Sequence, residues 1–109
     1  MNCISLINGK FKDQISVHDR GLFYGDGFFE TIAVKKKEIK FLKDHIARMK
    51  RAAHALKLEL SKQITDYASL EQSINHLLEK NEEENILIKI NVWRKEGGKY
   101  KATSNESEF

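Results

Sequence analysis

An α+β fold, a mainly antiparallel sheet with two helices on one face, is what this sequence predicts. Three observations lead there. Strand-like segments joined by tight turn signals fill the chain up to Phe41, and helical apolar spacing takes over from Leu42. The stretch ILIKINVW at 86–93 then returns to strict alternation.

The first strand is CISLIN, residues 3–8. Asn8-Gly9 favours the left-handed two-residue turn of a hairpin, so Phe11 and the ISV at 15–17 are expected to extend an antiparallel meander. His18-Asp19-Arg20-Gly21 breaks that pattern, and GLFYGDGFFET at 21–31 packs three glycines ahead of a β-prone segment at 28–34. A turn over Lys35-Lys36-Lys37 brings the chain back through residues 38–41. Leu42, Ile46, Met49, Ala53 and Leu56 then fall at helical spacing within 42–58. Asp44 in its first turn and Lys57 in its last suit the helix dipole. A second helix is expected over 67–80, with Asp66 as N-cap and Leu70, Ile74, Leu77 and Leu78 facing inward. Ile86, Ile88, Ile90 and Val92 share one face of the final strand.

At 109 residues the chain supports one domain, able to bury roughly two thirds of its unfolded surface. Its 40% hydrophobic and 32% charged residues are the balance of a soluble globular protein. No apolar run approaches the ~20 residues that span a bilayer, and Met1-Asn2-Cys3 opens no signal peptide, so no membrane partner is expected. A single cysteine, Cys3, makes no internal disulfide and no metal pair, which fits a reducing cytoplasm. The net charge of +3 is mild, and no aromatic residues interleave with the basic clusters, so nucleic acid is not an expected partner. His18, His54 and His76 have no metal-site spacing, so no metal is expected.

On a helical wheel with Ile46 at zero, Ala52, Leu56, Met49, Ala53 and Ile46 form the apolar arc. Lys50, Arg51 and His54 point away from it, Arg48 lies at its edge and His45 lies within it. Arg48 is therefore expected to aim towards the interior, where a guanidinium needs an anion. One reading is a structural salt bridge to Asp19 or Glu30; the other is a bound anionic ligand. His45 by itself reads as a satisfied core or boundary histidine rather than a catalyst. The glycine loop alone matches neither the dinucleotide fingerprint nor the phosphate loop.

Together, INGKF at 7–11, SVHDRGLFYGDGFFET at 16–31, LKDHIARMKRAAHAL at 42–56 and ILIKINVWRKEGG at 86–98 resemble a known family in order and spacing. The D-R-x-x-x-x-G-D-G-x-F-E stretch followed by H-I-x-R carries the resemblance, which covers residues 4–98. It is to the N-terminal domain of the class IV aminotransferases, the fold-type IV enzymes that use pyridoxal 5'-phosphate. They include branched-chain and D-amino acid aminotransferases and aminodeoxychorismate lyases.

The resemblance implies that Arg48 contacts the cofactor phosphate, in agreement with the wheel. It also implies that Phe29 faces the substrate pocket, that Glu30 is an active-site glutamate and that Tyr24 is a pocket tyrosine of the branched-chain group. Lys89 is placed near the same pocket. The family's Schiff-base lysine, in a K-x-L-N stretch, has no counterpart here, so no catalytic residue is assigned within 1–109. The chain is thus expected to be the N-terminal domain without the C-terminal catalytic-lysine domain, and inactive alone. In the complete enzyme a homodimer acting on an amino-acid or keto-acid substrate in the cytoplasm is implied. The order N-G-K-F, D-R-G, Y-G-D-G-F-F-E-T and the strand leading to W-R-K-E-G-G leans towards the lyase-like branch, although GGKYK stands where that branch often has G-G-R-G-Y. The competing reading is a standalone, non-catalytic binding or dimerisation module derived from the fold.

Overall fold

The computed structural model describes residues 4–16, 20, 25–95 and 105–109. Asn8-Gly9 makes the expected hairpin between β1 (Leu6–Ile7) and β2 (Lys10–Phe11), with Leu6 opposite Phe11 and Ile7 opposite Lys10. Asn8 and Gly9 take φ of 51° and 80°, the left-handed pair that matches strand twist. The meander does not continue as expected. Residues 12–16 form no strand, Ile15 is exposed, and Val17 lies outside the described residues. Lys12 and Asp13 follow β2 directly and offer no apolar alternation to hold a further ladder.

The main sheet contains β3 (Gly27–Lys35), β4 (Glu38–Ile39), β5 (Ile86–Arg94) and β6 (Ser107–Glu108), in the order β4-β3-β5-β6, with every pair antiparallel. The β3–β5 ladder runs from Gly27 opposite Trp93 to Val34 opposite Ile86 and is the spine of the fold. Period-two alternation sends Glu30, Ile32, Val34, Ile88, Ile90 and Val92 inward, while Phe29, Thr31, Leu87, Lys89 and Asn91 stay exposed.

Three helical segments cover the inner face: α1 (Leu42–Leu56), α2 (Lys62–Thr65) and α3 (Tyr67–Glu79). Met49, Ile46, Ile74 and Leu70 pack there against Ile32, Val34, Ile88 and Val92. Each such side chain contributes about 1.5–3 kcal/mol by leaving water, offset largely by chain entropy. α1 ends before Leu58 because Lys57 turns left-handed at φ 56°. The Leu58 N–H then reaches back to the Ala53 carbonyl at 2.8 Å, a Schellman-like stop. Leu56, expected to face inward, is exposed in that last turn. Asp66 caps α3 as expected, accepting from the Ser69 N–H at 3.0 Å. α2 is not legible in the sequence, because a single turn has no periodicity; it buries Ile64 and is capped by Ser61.

Candidate functional site

Glycine at the start of β3 is a packing requirement. A Cβ on Gly27 would strike the Val92 carbonyl oxygen and lie 2.8 Å from the Trp93 Cα, so β3 and β5 approach closely here. Gly25 is a different case, held at φ 63° with open space beside it. Between them, Asp26 Oδ2 accepts from Arg20 Nε and Arg94 Nε, each at 3.0 Å. Arg94 also donates through Nη2 to the Leu56 carbonyl at 2.6 Å and through Nη1 to Asn105 Oδ1 at 2.9 Å. One buried arginine thus ties the end of the glycine loop, the end of β5 and the unpaired carbonyls at the C-terminus of α1. This assembly fixes where β3 begins and how α1 lies across it.

Glu30 is the buried carboxylate of β3, and α1 crosses above it. His45 and Arg48, three residues apart, lie on one side of that helix and meet the same oxygen. Glu30 Oε1 accepts from His45 Nδ1 at 2.7 Å and from Arg48 Nη1 at 3.1 Å. A carboxylate oxygen accepts, so Nδ1 carries the hydrogen and Nε2 is left facing away from the pair. His45 is the satisfied boundary histidine expected, with a specific partner. Arg48 departs from expectation. Its side chain is 62% exposed, not aimed inward: one corner rests on the buried carboxylate and the rest of the fork meets solvent. The helix edge, not its apolar arc, is where the guanidinium leaves the packed layer. The salt bridge foreseen as one alternative forms with Glu30; Asp19 lies outside the described residues.

Phe29 and Lys89 occupy the opposite face of the sheet. The Lys89 Nζ sits 4.6 Å from the Phe29 ring centroid, a cation–π contact on an exposed surface. Consecutive residues of a strand point to opposite faces, so Phe29 and Glu30 do not line one wall together. Tyr24 lies outside the described residues. The structure therefore makes two groups of the candidate residues: His45, Glu30 and Arg48 beneath α1, and Phe29 with Lys89 outside. What joins them is an edge. β4 pairs with β3 at Val34 and Lys35, leaving the Phe29–Thr31 edge without a strand partner among the described residues.

Sequence reasoning missed His45 as the partner of Glu30, and missed Asp26, Arg20 and Arg94 as an assembly. The first had a signal, since His45 and Arg48 flank one helix edge; the second joins residues up to 68 apart and had none. Among the described residues no group of three metal-ligating side chains occurs, and no helix is long and apolar enough to cross a membrane.

The family model described as amino-transferase class IV matches residues 27–109. D-alanine aminotransferase from Staphylococcus epidermidis is 32% identical over 92 residues, covering 81% of this chain and 32% of that protein. The structure of 4-amino-4-deoxychorismate lyase from Pseudomonas aeruginosa matches with a TM-score of 0.74 at 30% identity, over 94% of this chain and 36% of that one. The branched-chain amino acid aminotransferase from Escherichia coli shares the fold with a TM-score of 0.79 at 16% identity. That match covers 94% of this chain and 36% of the other. The chain therefore spans about a third of the length of these relatives. By the family match over residues 27–109, the chain belongs to the class IV aminotransferases.

Proposed function

We propose that residues 1–109 form the N-terminal domain of a pyridoxal-phosphate-dependent aminotransferase or aminodeoxychorismate lyase acting on amino-acid-like substrates. The observation that carries this is the Arg48 guanidinium, oriented by Glu30 through one nitrogen and otherwise turned to solvent. An arginine has five N–H donors in a fixed fork, so those not on Glu30 are available for a phosphate. The donor set fits the phosphate group of the cofactor, and such a contact is worth about 1.5–3 kcal/mol.

When bound, the cofactor supplies the electron sink for bond cleavage next to the substrate amine. The residues of this chain hold and orient. Arg48 binds phosphate, Glu30 fixes the fork, and His45 braces Glu30 through the same carboxylate oxygen. Phe29 and Lys89 shape the substrate side of the same edge, and the resemblance adds Tyr24 as a pocket tyrosine. No lysine among the described residues is buried, and half-buried Lys40 is paired with Glu38 at 3.1 Å. In this reading, which rests on the resemblance, the Schiff-base lysine is supplied by polypeptide outside this domain and the 109 residues alone are inactive. A cytoplasmic homodimer is the form in which the whole enzyme works.

The test is a titration of the 109-residue chain with pyridoxal 5'-phosphate, followed through the Arg48 Nε resonance, together with an amino-transfer assay. Weak, reversible binding that is lost in Arg48→Ala, with no amino transfer, supports the proposal. Equal binding by Arg48→Ala, or turnover by the isolated chain, overturns it.

A further inference from the structure

Trp93 is the single tryptophan of the chain, and its indole N–H is buried without an acceptor among the described residues. No other buried side-chain nitrogen or oxygen among those residues lacks a partner. A buried donor left unpaired carries its full desolvation cost, and a buried indole ordinarily finds an acceptor. The carboxylate nearest in register belongs to Glu108, directly opposite Trp93 in the β5–β6 ladder. The indole N–H makes no bond to it.

Alternation along β5 places Lys89, Asn91 and Trp93 on the outer face of the sheet. Across the ladder Phe29 is opposite Asn91 and Gly27 is opposite Trp93. Phe29 is therefore the diagonal neighbour of both Lys89 and Trp93, within reach of an aromatic side chain. The Lys89 Nζ already lies 4.6 Å from the Phe29 ring centroid. Gly25, Phe29, Lys89, Asn91 and Trp93 line one cleft. An exposed aromatic platform is thus bordered by three donor side chains on one strand, an ammonium, an amide and an indole. Lys89 and Asn91 are exposed and solvated; the indole N–H alone is both dry and unpaired. Trp93 as a whole is half-buried, so part of its ring reaches the surface although the N–H does not.

We propose that Trp93 is a specificity-determining residue on the substrate side of this domain. Its N–H donates to an oxygen acceptor in the substrate's side chain, whose apolar stem lies on Phe29. The class selected is amino and keto acids whose side chain carries a carbonyl or carboxylate oxygen, over hydrocarbon side chains of the same shape. This rests on the reading of Phe29 and Lys89 as the substrate side, and adds to it the donor and the side-chain chemistry. It requires a small turn of the indole towards the cleft. The selection comes from an asymmetry: an oxygen satisfies the donor, whereas a hydrocarbon in the same place leaves it unpaired.

The experiment titrates the 109-residue chain with levulinate and with isocaproate. The two acids share one carboxylate and nearly one shape; levulinate has a ketone oxygen where isocaproate has a methyl group. A contact of the carboxylate with Arg48 or Lys89 cancels from the comparison, so the outcome is independent of whether Arg48 binds phosphate. With one tryptophan, the isotope-labelled chain shows a single indole N–H resonance, and affinities are read at the Phe29 and Lys89 amides. Levulinate is expected to move the indole resonance downfield and to bind about tenfold more tightly than isocaproate. In Trp93→Phe, which keeps an aromatic ring and removes the donor, the two acids are expected to bind alike. Equal affinities in the native chain, or no binding by either acid, overturn the proposal without recourse to a variant. So does an indole resonance that levulinate leaves in place, or a preference for levulinate that persists in Trp93→Phe. An upfield move of the indole resonance in Glu108→Ala, with no acid added, would identify Glu108 as the acceptor and overturn it as well.

Discussion

One oxygen of Glu30 accepts from both His45 Nδ1, at 2.7 Å, and Arg48 Nη1, at 3.1 Å. The carboxylate and imidazole are largely buried, while the Arg48 side chain is 62% exposed. The two bonds therefore differ in kind. His45–Glu30 is sheltered from water and holds α1 to β3. Arg48–Glu30 is screened, so it contributes little to stability and serves mainly to aim the guanidinium.

That difference separates two variants. Glu30→Ala leaves a buried histidine without its acceptor and is expected to cost about 2–3 kcal/mol. Arg48→Ala is expected to cost less than about 1 kcal/mol while abolishing phosphate binding. Urea unfolding with a parallel pyridoxal 5'-phosphate titration measures both. Comparable destabilisation by the two substitutions would show that the exposed bond matters to the fold.

Asp26 carries a larger structural load. Two arginines, Arg20 and Arg94, place Nε on the same Oδ2, and both are buried. Asp26→Ala leaves those charges without their shared carboxylate, and breaking a buried pair in this way costs about 3–5 kcal/mol. Asp26→Asn keeps an acceptor at the same place and is expected to lose distinctly less. Urea midpoints of the two variants at matched slope give the comparison.

The elements most legible in the sequence are those whose burial follows a period. Ile86, Ile88, Ile90 and Val92 announce β5, Leu70 and Ile74 announce α3, and Asn8-Gly9 specifies its own turn. The Glu30–Arg48 pairing is legible as one alternative, but the exposure of Arg48 is not, because a wheel gives direction and not the depth of the neighbouring layer. The split of Phe29 from Glu30 follows from strand alternation alone, yet the motif groups them because they are adjacent in sequence. Arg94 escapes notice for a third reason. Its partners Asp26, Leu56 and Asn105 come from separate elements, and no local pattern encodes that meeting.

Gly27→Ala tests the closeness of β3 and β5. The added methyl meets the Val92 main-chain oxygen and the Trp93 Cα, neither of which can swing aside. Overpacking of this kind is expected to cost about 2–3 kcal/mol and to speed amide exchange at Val92 and Arg94. Gly25→Ala has open space but a left-handed backbone, so it is expected to cost about 1 kcal/mol without changing β5 exchange. Equal effects at the two glycines would mean that backbone strain, not strand contact, sets the requirement at Gly27.

Asp66 makes the stability of α3 depend on acidity. The Ser69 hydroxyl, and then the Ser69 N–H, hold its carboxyl below the usual aspartate range. A carboxylate whose folded pKa is depressed stabilises the fold fully above its unfolded value, and that contribution is lost as pH falls through the folded one. Lowering the pH from about 7 to about 3 should therefore weaken the native chain in part through this cap. Asp66→Asn retains the capping oxygen but has no proton to gain, so its urea midpoint should fall less over the same interval. Ser69→Ala removes the largest cause of the shift and should flatten the dependence in the same direction. An acid-dependent loss of equal size in all three chains would place the titration elsewhere in the fold.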